Sequence, residues 1–169
     1  MDFFAHGFWS YIIFHRTKKP WLAVFFGLFP DIISFGPYFV YRIINGQYFS
    51  KPIIEQVPSW TFMLYNLGHS LVIVALVFWI IDILLKSIPV YLYAWPIEII
   101  LDVPTHTREF FPVPFLWPLS EWKFSGISWA GRDFMILNYV LIICCLAYIF
   151  WKKGYFAEKK IKKRIKRRK

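Results

Sequence analysis

Four apolar runs, residues 21–44, 62–85, 88–106 and 133–151, set the terms on which this chain can fold. The hydrocarbon core of a bilayer is about 30 Å thick, and about 20 helical residues cross it. Inside it every backbone N–H and C=O must be bonded within the chain, so runs of this length and polarity fold as helices. A composition that is 58% hydrophobic and 22% aromatic says the same. The expected fold class is therefore all-α: a polytopic membrane helical bundle of about four spans. A further apolar stretch, residues 3–15, suits a short N-terminal helix but not a crossing. Residues 62–85 read as the clearest span. Pro30 and Pro37 predict a kink or break in the first run, and Pro96 and Pro104 a distortion of the third.

Charge orients these runs. The net charge is +10, yet from Lys152 onward the chain holds eleven Lys/Arg and one Glu, so the tail carries all of it. This divides the chain into a membrane-embedded helical domain, 1–151, and a basic cytoplasmic tail, 152–169. Four crossings place Arg16, Lys18, Lys19, Lys86 and the tail on one side, the cytoplasmic one by the positive-inside rule. Both termini are then cytoplasmic, and loops 45–61 and 107–132 lie outside. Because the tail starts where a spanning run ends, its expected partner is the anionic lipid headgroup layer rather than nucleic acid. Asp2 occupies the place of a basic n-region, so the start does not read as a cleaved signal. Cys144 and Cys145 are adjacent, a spacing that suits neither a zinc site nor a disulfide framework.

Residues 95–120 carry the chemistry. Glu98, Asp102 and His106 recur every fourth residue and share one helix face. An acidic side chain near the middle of a bilayer costs about 2.5–3.5 kcal/mol on an insertion scale, so it needs a partner. Counting from the basic turns suggests where partners lie. His6 is 12 residues before Lys18, Asp31 is 12 after Lys19, and Glu98 is 12 after Lys86. At about 1.5 Å per residue all three stand about 18 Å above the inner surface. His69 and Asp102 stand about 24–26 Å up by the same rise, and His106 one turn higher. Six ionisable residues from four segments thus fall in one layer of the outer half.

Imidazole and carboxylate together suit zinc or a similar divalent ion, which offsets the burial of the acids. His6, Asp31, His69, Asp102, Glu98 and His106 are the candidate ligands. Glu98, Asp102 and His106 are also the candidates for catalytic work. Each has a plainer use when taken singly: an interfacial histidine, a cap, or a hydrogen bond between helices. Arg108 and Arg132 are candidate substrate contacts, since Arg favours bidentate oxyanion binding, and both also suit a solvated loop.

These blocks resemble the YdjM-like family of bacterial inner-membrane proteins, described as metal-dependent hydrolases. The resemblance covers about residues 4–120. It consists of His6 in an apolar helix, Pro30-Asp31 after the next run, His69-Ser70 opening a span, and Leu101-Asp102 followed by the loop ending Trp117-Pro118-Leu119-Ser120. The family in turn is distantly similar to the zinc-dependent phospholipase C and P1 nuclease group. The resemblance implies a bacterial inner-membrane location, zinc, and phosphoesterase activity. The chain departs from the family where a Pro-Asp-x-Asp-His block is usual: here Asp31 is followed by Ile32, Ile33 and Ser34. Glu98 stands where the family has a histidine, with His106 as a possible replacement on the other side of Asp102.

The expected function is hydrolysis of a phosphate ester, on a lipid or lipid-linked molecule, with the aromatic loop 107–132 holding the substrate at the interface. Two other classes remain open. One is a non-enzymatic scaffold or lipid- or partner-binding protein with a structural polar network. The other is an ion or solute carrier, against which stand the small size and the lack of paired broken-helix halves.

Overall fold

The computed structural model describes residues 1–47, 53–109 and 111–166, with side chains to residue 155. The described residues form helices and no strand. α1 spans Phe3–Phe14 and starts at Asp2, whose Oδ1 accepts from the Phe4 and Ala5 N–H groups at 3.1 Å each. These are two of the donors that a helix start leaves without a partner. The same oxygen accepts the Tyr139 hydroxyl at 2.8 Å, tying the start of α1 to the last helix. Trp9 Nε1 adds a second tie by donating to Asn138 Oδ1 at 2.9 Å.

α2 spans Pro20–Ile44 and begins on a proline, at a position where no N–H is needed. It runs through Pro30 and Pro37 as one helix, with no break at either. Ser34 Oγ donates to the Pro30 carbonyl at 2.6 Å. α1 and α2 form an antiparallel hairpin, with Gly7 against Leu28 and Phe14 clustered with Ala23. The helices pack tightly at Gly27, where an added Cβ would run into the side chain of Ser10.

The run expected as the clearest span is two helices, α3 (Ser59–Gly68) and α4 (Leu71–Leu85), bent by 57° at His69-Ser70. The break is well partnered. Ser70 caps α4 by accepting from the Val72 and Ile73 N–H groups at 3.2 Å each. Its hydroxyl donates to the Trp117 carbonyl, and Leu71 N donates to Phe115 O at 2.9 Å. Trp95 Nε1 donates to the freed Gly68 carbonyl at 2.7 Å. A broken helix at membrane depth is tolerated when its open backbone groups are satisfied in this way. Ser70→Ala removes the cap and is expected to lower unfolding stability in detergent by about 1 kcal/mol. An unchanged unfolding midpoint would mean that the loop bonds alone hold the break.

The run 88–106 is also in pieces: a 3₁₀ turn at Val90–Tyr93, α5 at Ala94–Asp102, and a 3₁₀ turn at Val103–Thr105. Proline costs least in the first turn of a helix. Pro96 lies in the first turn of α5, and Pro104 in the 3₁₀ turn that follows it. α6 spans Arg132–Lys166, so the basic segment from Lys152 continues this helix rather than starting at its end.

α2 and the Arg132–Tyr155 part of α6 are long and apolar enough to cross a membrane, and the bent α3–α4 pair makes a third candidate. The outer surface is equally apolar: Trp21, Ile44 and Leu84 are each more than 70% exposed. Both features are consistent with a membrane protein. The core has two apolar ends. Phe14, Ala23 and Ala94 cluster near the hairpin turn, and Tyr38, Val57, Tyr65 and Phe111 at the opposite end. Between them lies a buried polar layer.

Candidate metal centre

Four pieces of the chain deliver this layer. α1 supplies His6, α2 Asp31, the α3–α4 break His69, and α5 Glu98 and Asp102 one turn apart. His6, His69, Glu98 and Asp102 are each no more than 2% exposed, and the Asp31 side chain is 13% exposed. His6 Nε2 stands 3.1 Å from Asp102 Oδ1 and 3.6 Å from Glu98 Oε1. His69 Nε2 stands 3.6 Å from both Glu98 Oε1 and Asp31 Oδ1.

The three separations of 3.6 Å are too long for hydrogen bonds, and the 3.1 Å approach of His6 Nε2 to Asp102 Oδ1 lacks the geometry of one. His6 Nε2, His69 Nε2 and both Glu98 oxygens are buried without a hydrogen-bond partner. Leaving such groups unpaired in a low-dielectric interior costs about 1–3 kcal/mol each, more when charged. Ligands about 2.0–2.2 Å from a tetrahedral ion lie about 3.3–3.6 Å from one another. The three 3.6 Å separations around Glu98 and His69 therefore suit a cation between the groups better than a proton. Two overlapping triads meet the requirement of mutually close ligand atoms: His6, Asp31 and Glu98, and His69, Glu98 and Asp102. Glu98 belongs to both. These buried groups could hold a metal ion.

The surroundings fix the ligands. His69 Nδ1 lies 3.1 Å from the Tyr65 carbonyl, and the two rings stack at 4.0 Å. With Nδ1 as donor, the Nε2 lone pair is left for the cluster, a common arrangement around metal-binding histidines. Tyr65 is itself pinned by its hydroxyl, which donates to Phe111 O at 2.8 Å. Gly68 permits the approach of α3 to α2, since its Cβ would stand 3.1 Å from the Pro30 carbonyl.

His106 sits at the edge and in neither triad. Its Nδ1 lies 3.0 Å from the Asp102 carbonyl and 3.6 Å from Asp102 Oδ2, leaving Nε2 uncommitted to Asp102. The four-residue register had placed it on the stripe, but the chain leaves α5 at Asp102 and His106 is extended. The Met1 amine bonds Asp102 Oδ1 and lies 3.2 Å from Thr105 Oγ1, so it shares this carboxylate. Arg108 Nε donates to the Lys123 carbonyl at 3.1 Å, and Arg132 pairs with Asp133 at 3.0 Å. Neither is brought to the cluster.

Sequence reasoning missed Tyr65 and Trp95, and read His69-Ser70 as opening a span without the bonds Ser70 makes to the loop. Ser70 had a visible signal, a serine just ahead of an apolar run, the usual mark of a helix start. Tyr65 lies one turn before His69, at the spacing where a backbone carbonyl meets a side chain. Compared with known proteins, the chain matches no protein-family model, no curated protein and no solved structure, so its reading rests on its own residues and geometry.

Proposed function

We propose that the protein is an integral membrane, metal-dependent hydrolase of phosphate esters, acting on a lipid or lipid-linked molecule, with zinc as its ion. One observation carries this reading: a buried carboxylate, Glu98, with both oxygens unpartnered, faces the Nε2 atoms of two buried histidines. That donor set asks for a divalent cation. When bound, such an ion polarises a phosphoryl oxygen and lowers the pKa of a water. His6, Asp31, His69, Glu98 and Asp102 hold it. His106 turns Nδ1 to the Asp102 carbonyl, and its Nε2 is the site for taking and returning a proton beside the substrate. Arg108 and Arg132, expected as substrate contacts, bond Lys123 O and Asp133 instead and have no part in this scheme. The short blocks shared with the YdjM-like family favour the same chemistry and a bacterial inner-membrane location.

In this reading the chain crosses four times with the basic tail cytoplasmic, while the N-terminus, expected on the same side, lies instead in the buried layer, where the Met1 amine bonds Asp102 Oδ1. Residues 90–105 form the remaining crossing as a composite, since their three helical pieces rise about 27 Å together. Lys153 Nζ donates to Tyr11 OH at 2.9 Å, and Arg16, Lys152 and Lys153 surround a groove floored by Ile12 and Ile149. That combination of cations and apolar surface suits an anionic phospholipid at the inner face.

A structural scaffold is the second reading. It draws on the Met1 amine and Thr105, which satisfy part of Asp102 without an ion. Elemental analysis of detergent-purified protein separates the two. Stoichiometric metal that is lost in Asp102→Ala, together with phosphate-ester hydrolysis lost in the same variant, is the expected result. Well-folded wild type that takes up no zinc when it is supplied would favour the scaffold.

A further inference from the structure

The α1–α2 hairpin is lopsided. α1 has 12 residues and α2 has 25, about 18 Å and 37 Å at about 1.5 Å per residue. The pairings Gly7–Leu28 and Ser10–Gly27 set the start of α1 beside residues 32–34, and α2 continues past it without that neighbour. A cavity of about 730 Å³ occupies the notch. Asp31, Asp102 and His106, with Met1 and Asp2 beside them, form its polar floor, and Phe4, Ile32, Phe35 and Gly36 are part of its apolar wall. Phe111 and Trp129 also line it, from the loop that follows the cluster. Phe4 is 68% exposed and Ile32 38% exposed, so the notch is flanked by the same apolar surface that clothes the bundle. Gly36 is open space: an added Cβ meets nothing within 4 Å.

A sugar phosphate or free phosphate would leave these walls uncovered, whereas a hydrocarbon chain covers them. We propose that the notch is a lateral portal, through which a phosphate-bearing lipid enters from the surrounding bilayer. Its chain lies along Ile32, Phe35 and Gly36, and its phosphate reaches the Asp31–Asp102–His106 floor. The inference rests on the membrane hydrolase reading and adds the route and the chain seat. Gly36 is then a specificity-determining position, because a side chain added there starts in open space and extends into the seat.

Photocrosslinking tests this on the full chain in phosphatidylcholine nanodiscs doped with phosphatidic acid bearing a diazirine on one acyl tail. Labelling mapped by mass spectrometry should concentrate on residues 32–39. It should fall about tenfold, a difference of about 1.4 kcal/mol in occupancy, in Gly36→Trp. A diacylglycerol probe with the same tail but no phosphate should label the segment several-fold less, by about half that energy. Gly36→Leu is the milder variant if Trp disturbs folding, and metal content of each sample checks the cluster. Labelling that Gly36→Trp and Gly36→Leu leave unchanged, or that is equal for the two lipids, overturns the portal. Absence of metal with the labelling pattern intact would remove the hydrolase reading and leave the portal standing.

Discussion

Glu98→Gln is expected to abolish metal binding, whereas Asp31→Asn and Asp102→Asn weaken it less. The reason is membership: Glu98 belongs to both ligand triads, Asp31 and Asp102 to one each. Loss of a partner that merely orients a ligand typically lowers metal affinity about 10–100-fold, so loss of the shared ligand should reach about 100-fold or more. Equilibrium dialysis with zinc on the three variants gives the order. Chelation should invert the stability ranking. With metal removed, wild type keeps three carboxylates crowded in a buried layer, and breaking their pairing with a cation leaves uncompensated charge. Metal-free Glu98→Gln should therefore melt above metal-free wild type, while metal-loaded wild type melts above both. If the three variants bind zinc equally, Glu98 is not the shared ligand.

The second large effect is expected at Gly27→Ala. The new Cβ would stand 2.9 Å from Ser10 Cβ, and the Ser10 hydroxyl is nearer still. Overpacking of this kind costs about 1–3 kcal/mol. That cost should outweigh the gain of up to about 1 kcal/mol that Ala brings over Gly within a helix. The His6 carbonyl lies 3.6 Å from the same position, so separating the hairpin also moves a ligand. A drop in unfolding stability with about tenfold weaker zinc binding is expected, the latter matching a displacement worth about 1.4 kcal/mol. Ser10→Gly in the same chain removes the obstructing atoms and should restore both readouts. Failure of that rescue would mean that the contact is not what sets the spacing of the hairpin.

Part of this site was legible before any coordinates. Glu98 and Asp102 are one turn apart, and residue counts from the basic turns put His6, Asp31 and Glu98 at one height. Those estimates needed only helical rise and the position of charged turns, and the three residues do meet. His106 meets Asp102 but lies outside both triads, because the chain leaves α5 at Asp102. The bend at His69-Ser70 was read as continuous helix because what stabilises it is distant in sequence. The carbonyls of Phe115 and Trp117 and the indole of Trp95 are tertiary partners, and no local pattern announces them. Asp31 shows the opposite case. It was readable as a cap after a proline, yet α2 continues past Pro30 and carries it into the cluster as an interior residue.

The half-length of α1 has a consequence for how the protein is made. A helix rising about 18 Å covers little more than half of a bilayer core about 30 Å thick, so it cannot be inserted as a span of its own. It has to go in folded back on α2, with the Gly27–Ser10 contact formed during insertion rather than after it. Synthesis then delivers the ligands in order: His6 and Asp31 with the hairpin, His69 with the bent pair, Glu98 and Asp102 last. Neither triad is complete before Glu98 arrives. Under the proposed metal-dependent reading, loading of an ion would therefore be a late event, following the placement of α5.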